Sequence, residues 1–236
     1  MEESPQLRDA KLEAMAEFAA GAGHEINNPV ATIAGRVQLL LRDETDPERR
    51  RALETIGGQA LRIRDMIGDA MLFARPPRPE PEPLDLADVV PAALAPLQDR
   101  AEQRGCRFEL EIPGPVPIYA DRTQLEIVIA GLVHNSLEAM RDGGPVRIAA
   151  RSYAEHDRRW ARFTVSDTGG GLNEIERAHL FDPFFSGRQA GRGLGFGLSK
   201  CWRIVTLHGG RIDVRTDGET TTTFTIDWPA DPSLAA

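Results

Sequence analysis

The sequence predicts a multidomain protein of α and α+β class, in which a helical hairpin pairs with a second copy into a dimeric four-helix bundle and an α/β sandwich follows. Three observations predict it. Apolar residues recur at alternating spacings of four and three through the first third of the chain, a run of prolines follows, and beyond it strands and helices mix without strict alternation.

In the first helix Leu12, Ala16, Ala19, Gly23, Ile26, Val30, Ile33, Val37 and Leu40 form the narrow seam of a coiled-coil-like element that seeks another helix. A polar turn at residues 43–46 ends it, and Pro47 stands where proline opens a helix. Leu53, Ile56, Ala60, Ile63, Ile67, Ala70 and Ala74 then repeat the spacing, so residues 1–75 read as a hairpin. Two helices bury only a strip each, and seams this regular leave apolar surface for a symmetric partner, a homodimer.

The stretch Arg75-Pro76-Pro77-Arg78-Pro79-Glu80-Pro81-Glu82-Pro83 can form neither helix nor central strand, because proline fixes φ and removes donors. Residues 76–83 are therefore expected to be a semi-rigid linker. In the second domain, residues 84–230, the pattern predicts helices at 88–104, 122–141 and 197–207. It predicts strands at 107–112, 146–151, 162–167, 211–215 and 222–227, which suits helices on one face of a mixed sheet. Residues 231–236 are a tail.

Composition limits the function classes. The chain has 236 residues, 41% hydrophobic and 27% charged, enough for two packed cores. Its net charge of −8 argues against nucleic acid as a partner, which would favour a basic face. Cys106 and Cys201 are too few for a disulfide framework and lack CxxC spacing, so they read as reduced thiols. No segment approaches the roughly 20 apolar residues of a membrane span, and the first ten residues are too polar for a signal peptide. The expectation is a cytoplasmic chain without membrane contact.

His24 opens His24-Glu25-Ile26-Asn27-Asn28-Pro29, directly after the seam position Gly23, which puts it on the accessible flank of the helix. An imidazole attacks phosphorus through an unprotonated nitrogen, so it needs a group that holds the proton of the other nitrogen, and Glu25 is placed for that. Gly21, Gly23 and Pro29 weaken the helix around this histidine and suggest that it bends there. A zinc HExxH site is excluded, because position 28 is Asn. Residues 18–29 resemble the H-box of two-component sensor histidine kinases, in the subgroup written HEINNP. The resemblance implies that His24 is autophosphorylated, that Glu25 is its acid/base partner, and that Asn28 orients water when the partner response regulator is dephosphorylated.

The resemblance extends into the second domain, to the boxes of an ATP-binding domain of gyrase/chaperone/kinase (Bergerat-type) fold. His134-Asn135-Ser136-Leu137-Glu138-Ala139 resembles the N-box, and the Asn135 carbonyl is a hard oxygen ligand suited to Mg²⁺. Relatives often carry a second Asn or Glu four residues earlier, where this chain has Gly131. Asp167-Thr168-Gly169-Gly170-Gly171 resembles the DxGxG box. Strand alternation favours a buried Asp167, which then needs a donor; the resemblance assigns adenine's exocyclic amine to it, while Gly169 and Gly171 let the backbone approach the base. Phe181-Asp182-Pro183-Phe184-Phe185 matches the F-box, with a lid through Arg192. Gly193-Leu194-Gly195-Phe196-Gly197-Leu198 matches GxGxGL, whose glycines expose backbone N–H groups at a helix start that favours phosphate. A dinucleotide fold is disfavoured, because these glycines do not follow the first strand of a βαβ unit.

The expected activity is ATP- and Mg²⁺-dependent autophosphorylation of His24 and transfer to an aspartate of a response-regulator receiver domain, with regulator phosphatase activity as a further possibility. The alternative, motivated by Gly131 and Asn28, is a degenerate nucleotide-sensing scaffold or phosphatase without autokinase activity. An ATPase that only hydrolyses ATP would give His24 no task.

Overall fold

The structure, a computed structural model, describes residues 5–185, 195–217 and 220–231, with side chains other than those of residues 5–20, 22 and 24. The chain divides into two compact units, Met1–Pro77 and Arg78–Ala236.

The first unit is a hairpin of α1 (Pro5–Asp43) and α2 (Pro47–Ala74). Gly23 faces Met71 and Val37 faces Gly57, so the helices run antiparallel. Asp46 starts α2: its carboxylate accepts from the Glu48 and Arg49 N–H groups at 2.9 Å, and Pro47 supplies the helical φ at the first position. From the two seams, Val30, Val37 and Ala60 are buried, whereas Ile33 (45% exposed), Leu40 (59%), Ile56 (49%) and Ile63 (38%) are not. One hairpin covers only one flank of each stripe.

α1 continues unbroken through Gly21, Gly23 and Pro29. A Cβ on Gly23 would lie 2.6 Å from Met71 Sδ, so the Met71 side chain of α2 fills the space beside this glycine. That contact agrees with the seam position its spacing gives Gly23.

The second unit contains a two-stranded antiparallel sheet, β1 (Glu82–Asp85) with β3 (Pro117–Ala120). It also contains a five-stranded mixed sheet of β2 (Cys106–Glu111), β4 (Gly144–Glu155), β5 (Arg158–Asp167), β7 (Thr222–Pro229) and β6 (Arg211–Thr216), in that spatial order. β2 pairs parallel to β4 and the other neighbours are antiparallel. Glu82 and Pro83, expected in the linker, belong to β1. Pro83 is tolerated there because a two-stranded sheet consists of edges. The β4–β5 hairpin turns on His156 (φ 49°) and Asp157 (φ 61°), the paired left-handed conformation that matches strand twist.

The helix expected over 88–104 is broken into α3 (Leu86–Leu94), a 3₁₀ turn at Ala95–Leu97 and α4 (Gln98–Gln103). Pro96 explains the break: it has no N–H to donate and its ring collides with the preceding turn. α5 (Arg122–Ala139) and α7 (Gly197–Leu207) complete the helical layer, and the short α6 (Glu174–His179) begins with a capping box from Asn173 and Glu176. Inward residues Ile148, Phe163, Val165, Phe224 and Ile226 meet Val89, Leu132, Ile129 and Ile204 in one core.

Asp121 and His208 tie this layer to the chain before it. Asp121 caps α5 by accepting from Gln124 N–H at 3.0 Å and also accepts from Glu80 N–H at 3.0 Å. Its own N–H donates to Nε2 of the buried His208 at 3.2 Å, while His208 Nδ1 meets the Ile204 carbonyl at 2.9 Å. That pattern requires neutral imidazole with the proton on Nδ1. Burial holds the His208 pKa below the ordinary histidine value. The unfolded chain therefore binds a proton here that the folded chain resists, and stability present above about pH 6.5 is lost as pH falls below it. Urea titrations at pH 7.5 and 5.5 are expected to show this as a slope of at most about 1.4 kcal/mol per pH unit. His208→Gln, which keeps an acceptor and does not titrate, should flatten it; equal slopes for both proteins would refute the assignment.

Candidate nucleotide and phospho-acceptor sites

α5 and the end of β5 build a polar cradle. β5 alternates inward through Ala161, Phe163 and Val165, and so delivers Asp167 to the interior, 2% exposed. Ser136, on the inner face of α5 and fully buried, donates its hydroxyl to Asp167 Oδ2 at 2.6 Å. Gly169 N–H donates to Oδ1 at 3.0 Å. Burial raises the Asp167 pKa, and the two donors oppose that rise by favouring the charged form.

The glycines differ in what they do. A Cβ on Gly169 would come within 2.5 Å of Ala139 Cβ and 2.7 Å of its carbonyl carbon, so glycine lets this loop lie on the end of α5. Gly171 has φ 70°. Gly195 has φ 74°, and a Cβ there would meet the Phe185 carbonyl oxygen at 2.5 Å. At Gly197, the first residue of α7, a Cβ would meet nothing within 4 Å. Phe196 is buried and packs edge-on against Phe184 at 4.8 Å, which joins the glycine segment to the F-box. Leu198 packs half-buried on the core. Gly193 and Leu194 lie outside the described residues.

Asn135 is half-buried on α5, next to Ser136. Among the described residues no group of three or more His, Cys, Asp or Glu stands ready to hold a metal. One amide oxygen suits a cation that takes most of its ligands from phosphates and water, as Mg²⁺ does. Gly131 is no open position: a Cβ there would lie 2.7 Å from Cys201 Sγ, and Cys201 in turn donates to the Gly197 carbonyl at 3.2 Å. The sulfur fills the place of a side chain at 131 and seats the first turn of α7 on α5. Neither the Gly131–Cys201 contact nor Ser136 stood out in the sequence, because each gains meaning only through a partner more than thirty residues away.

On α1, Glu25 and Asn28 are exposed, and the His24 side chain is outside the description. Pro29 leaves the Glu25 carbonyl without its helical donor. Thr32 Oγ1 donates to the Asn28 carbonyl at 3.0 Å. These residues are in the first unit and the cradle is in the second.

Residues 14–78 match the family model of the His Kinase A (phospho-acceptor) domain. Residues 120–232 match that of the histidine kinase-, DNA gyrase B- and HSP90-like ATPase. The chain is 30% identical over 223 residues to the signal transduction histidine-protein kinase AtoS of Escherichia coli K12, covering 94% of this chain and 36% of AtoS. It is 32% identical to the C4-dicarboxylate transport sensor protein DctS of Rhodobacter capsulatus, covering 97% of this chain and 36% of that protein. It thus spans little more than a third of the length of these relatives. In fold it is similar to full-length ShkA, solved in complex with AMPPNP, with a TM-score of 0.78 at 23% identity over 90% of this chain and 45% of ShkA. It is also similar to the histidine kinase ThkA, solved in complex with the response regulator TrrA, with a TM-score of 0.68 at 22% identity over 97% of this chain and 65% of that one. With both family models matched in order on the hairpin and the sandwich, this chain belongs to the two-component sensor histidine kinases, whose catalytic core it carries.

Proposed function

We propose that this chain is the core of a homodimeric, ATP-dependent protein-histidine kinase that phosphorylates its own His24 and passes the phosphoryl group to an aspartate of a response-regulator receiver domain. The observation that carries the reading is the buried Asp167 with its two donors in an ATPase-type domain, on the same chain as a phospho-acceptor hairpin that contains His24. ShkA was solved with AMPPNP and ThkA with a response regulator, which supports a nucleotide and a receiver as the partners here.

In this reading Asp167 accepts from the 6-amino group of adenine, with Gly169 and Gly171 giving the base a close approach. The glycine segment Gly193, Leu194, Gly195, Phe196, Gly197 and Leu198 binds phosphate through backbone N–H groups, of which those of Gly197 and Leu198 open α7. Asn135 gives an oxygen to Mg²⁺, which when bound neutralises phosphate charge. Glu25 holds the proton of one imidazole nitrogen. The other nitrogen of His24 then attacks the γ-phosphorus, the bond to the bridging oxygen breaks, and ADP leaves. Asn28, exposed four residues after His24, orients water for dephosphorylation of the regulator.

The exposed Ile33, Leu40, Ile56 and Ile63 support the dimer, since burying the roughly half of each side chain that is still exposed would contribute about 1 kcal/mol apiece. Cys106 and Cys201, both buried and in no disulfide, suit a reducing, cytoplasmic setting. Among the described residues no helix is long and apolar enough to cross a membrane. The scaffold alternative is disfavoured by the phospho-acceptor and ATPase domains matched in order on one chain.

The test is incubation of the chain with γ-labelled ATP and Mg²⁺, with its mass measured by sedimentation. The expected result is a dimer carrying acid-labile, base-stable label that a receiver domain removes. ATP binding without label would replace the kinase with a nucleotide-sensing scaffold, and a monomer at micromolar concentration would refute the dimer.

A further inference from the structure

We infer that Ser136 is the positioning residue that sets base selectivity in this pocket: its hydroxyl holds the Asp167 carboxylate as an acceptor-only edge, which selects a purine with a 6-amino group over one with a 6-oxo group. The inference rests on the proposed nucleotide reading and deepens it.

An ionised carboxylate has about four acceptor positions and no donor; a protonated one has a donor as well. Adenine presents a donating amine at position 6, and hypoxanthine presents an accepting oxygen. A carboxylate kept ionised and held opposite position 6 therefore attracts the first and repels the second, whose own donor lies at N1, whereas a protonated carboxyl can satisfy either position-6 group. Whatever keeps Asp167 in its acceptor form sets the discrimination.

Two groups do so, and only one of them is a side chain. Gly169 N–H occupies one position on Oδ1 at 3.0 Å. Ser136 Oγ lies 2.6 Å from Oδ2, within the range of a hydroxyl donating to a charged oxygen. Ser136 is 0% exposed and Asp167 2%, so water does not compete for that bond. Burial alone pushes Asp167 toward the neutral form, and Ser136 is the largest influence opposing it. With one donor on each oxygen, about two acceptor positions remain for a ligand. Ser136 also follows Asn135 directly on α5, so the helix that offers the proposed Mg²⁺ ligand also aims the base-reading carboxylate.

The test compares Mg-ATP with Mg-inosine triphosphate, which carries a 6-oxo group in place of the 6-amino group, by calorimetry on the full chain. Wild type is expected to prefer ATP. Ser136→Ala is expected to weaken ATP by roughly tenfold and inosine triphosphate by much less, so that the preference shrinks by a similar factor. Ser136→Thr, which keeps the hydroxyl, should restore the preference. If Ser136→Ala fails to fold, Ser136→Cys, close in volume but a weaker donor, should give an intermediate preference. Equal weakening of both ligands, or an unchanged ratio in a folded variant, would overturn the inference and leave the nucleotide reading standing. Wild type that binds neither triphosphate would overturn both.

Discussion

His24→Gln is expected to abolish acid-labile phosphoryl incorporation, to below about one part in ten thousand of wild type, while ATP affinity stays within about twofold. Glutamine has no nucleophilic nitrogen at neutral pH, so the loss is chemical, and no neighbouring group can restore it. It is also a good helix former, so α1 keeps its propensity at this position and the change tests chemistry rather than folding. The cradle around Asp167 is in the other compact unit, which is why nucleotide affinity should be indifferent to the substitution. Glu25→Gln should act differently in degree. It removes the group proposed to hold the imidazole proton and leaves the proposed nucleophile, so a loss of about 10²–10⁴ is expected. Label counting after base treatment, beside calorimetry with ATP, separates the two variants. Undiminished label in His24→Gln would place the acceptor elsewhere in the chain.

What the sequence made legible is what depends on neighbours along the chain. The 3-4 spacing announced α1 and α2, Asp46-Pro47 announced the start of α2, and α7 lies where its glycines and apolar spacing put it, at Gly197–Leu207. Alternation along β5 pointed Asp167 inward, and it is buried. Readings failed where a residue answers to something remote. Pro83 looked like linker because proline disfavours sheets, yet it is opposite Tyr119 in a two-stranded edge pair. Pro96 was absorbed into one long apolar helix, although its missing N–H ends α3 two residues earlier. Gly131 stood out only as a missing ligand in the metal site, whereas in the fold it is also where Cys201 packs on α5. Ser136 passed as one small polar residue in a motif, since nothing nearby in sequence marks Asp167 as its acceptor. A glycine states that a side chain is absent; only the fold states what took its place.

Asp167→Asn is expected to lower ATP affinity by at least about a hundredfold and to change the unfolding temperature by no more than a few degrees. Both halves follow from the donors around the carboxylate. Gly169 N–H can only donate, so the amide oxygen of an asparagine must face it, and the amide nitrogen then faces Ser136. The serine hydroxyl can rotate and accept, so the fold retains both contacts and sheds a charge that burial already disfavours. The remaining amide hydrogen, however, now points where the carboxylate had a lone pair. An incoming 6-amino group meets a donor, and a buried donor opposed by a donor costs several kcal/mol relative to the matched pair. Asp167→Ala would differ in the other direction: it strips Ser136 and Gly169 of their acceptor and should cost about 1–3 kcal/mol of stability as well as affinity. Calorimetric titration with ATP, paired with thermal unfolding, distinguishes the two. If Asp167→Asn bound ATP as wild type does, Asp167 would not be the residue that reads the base.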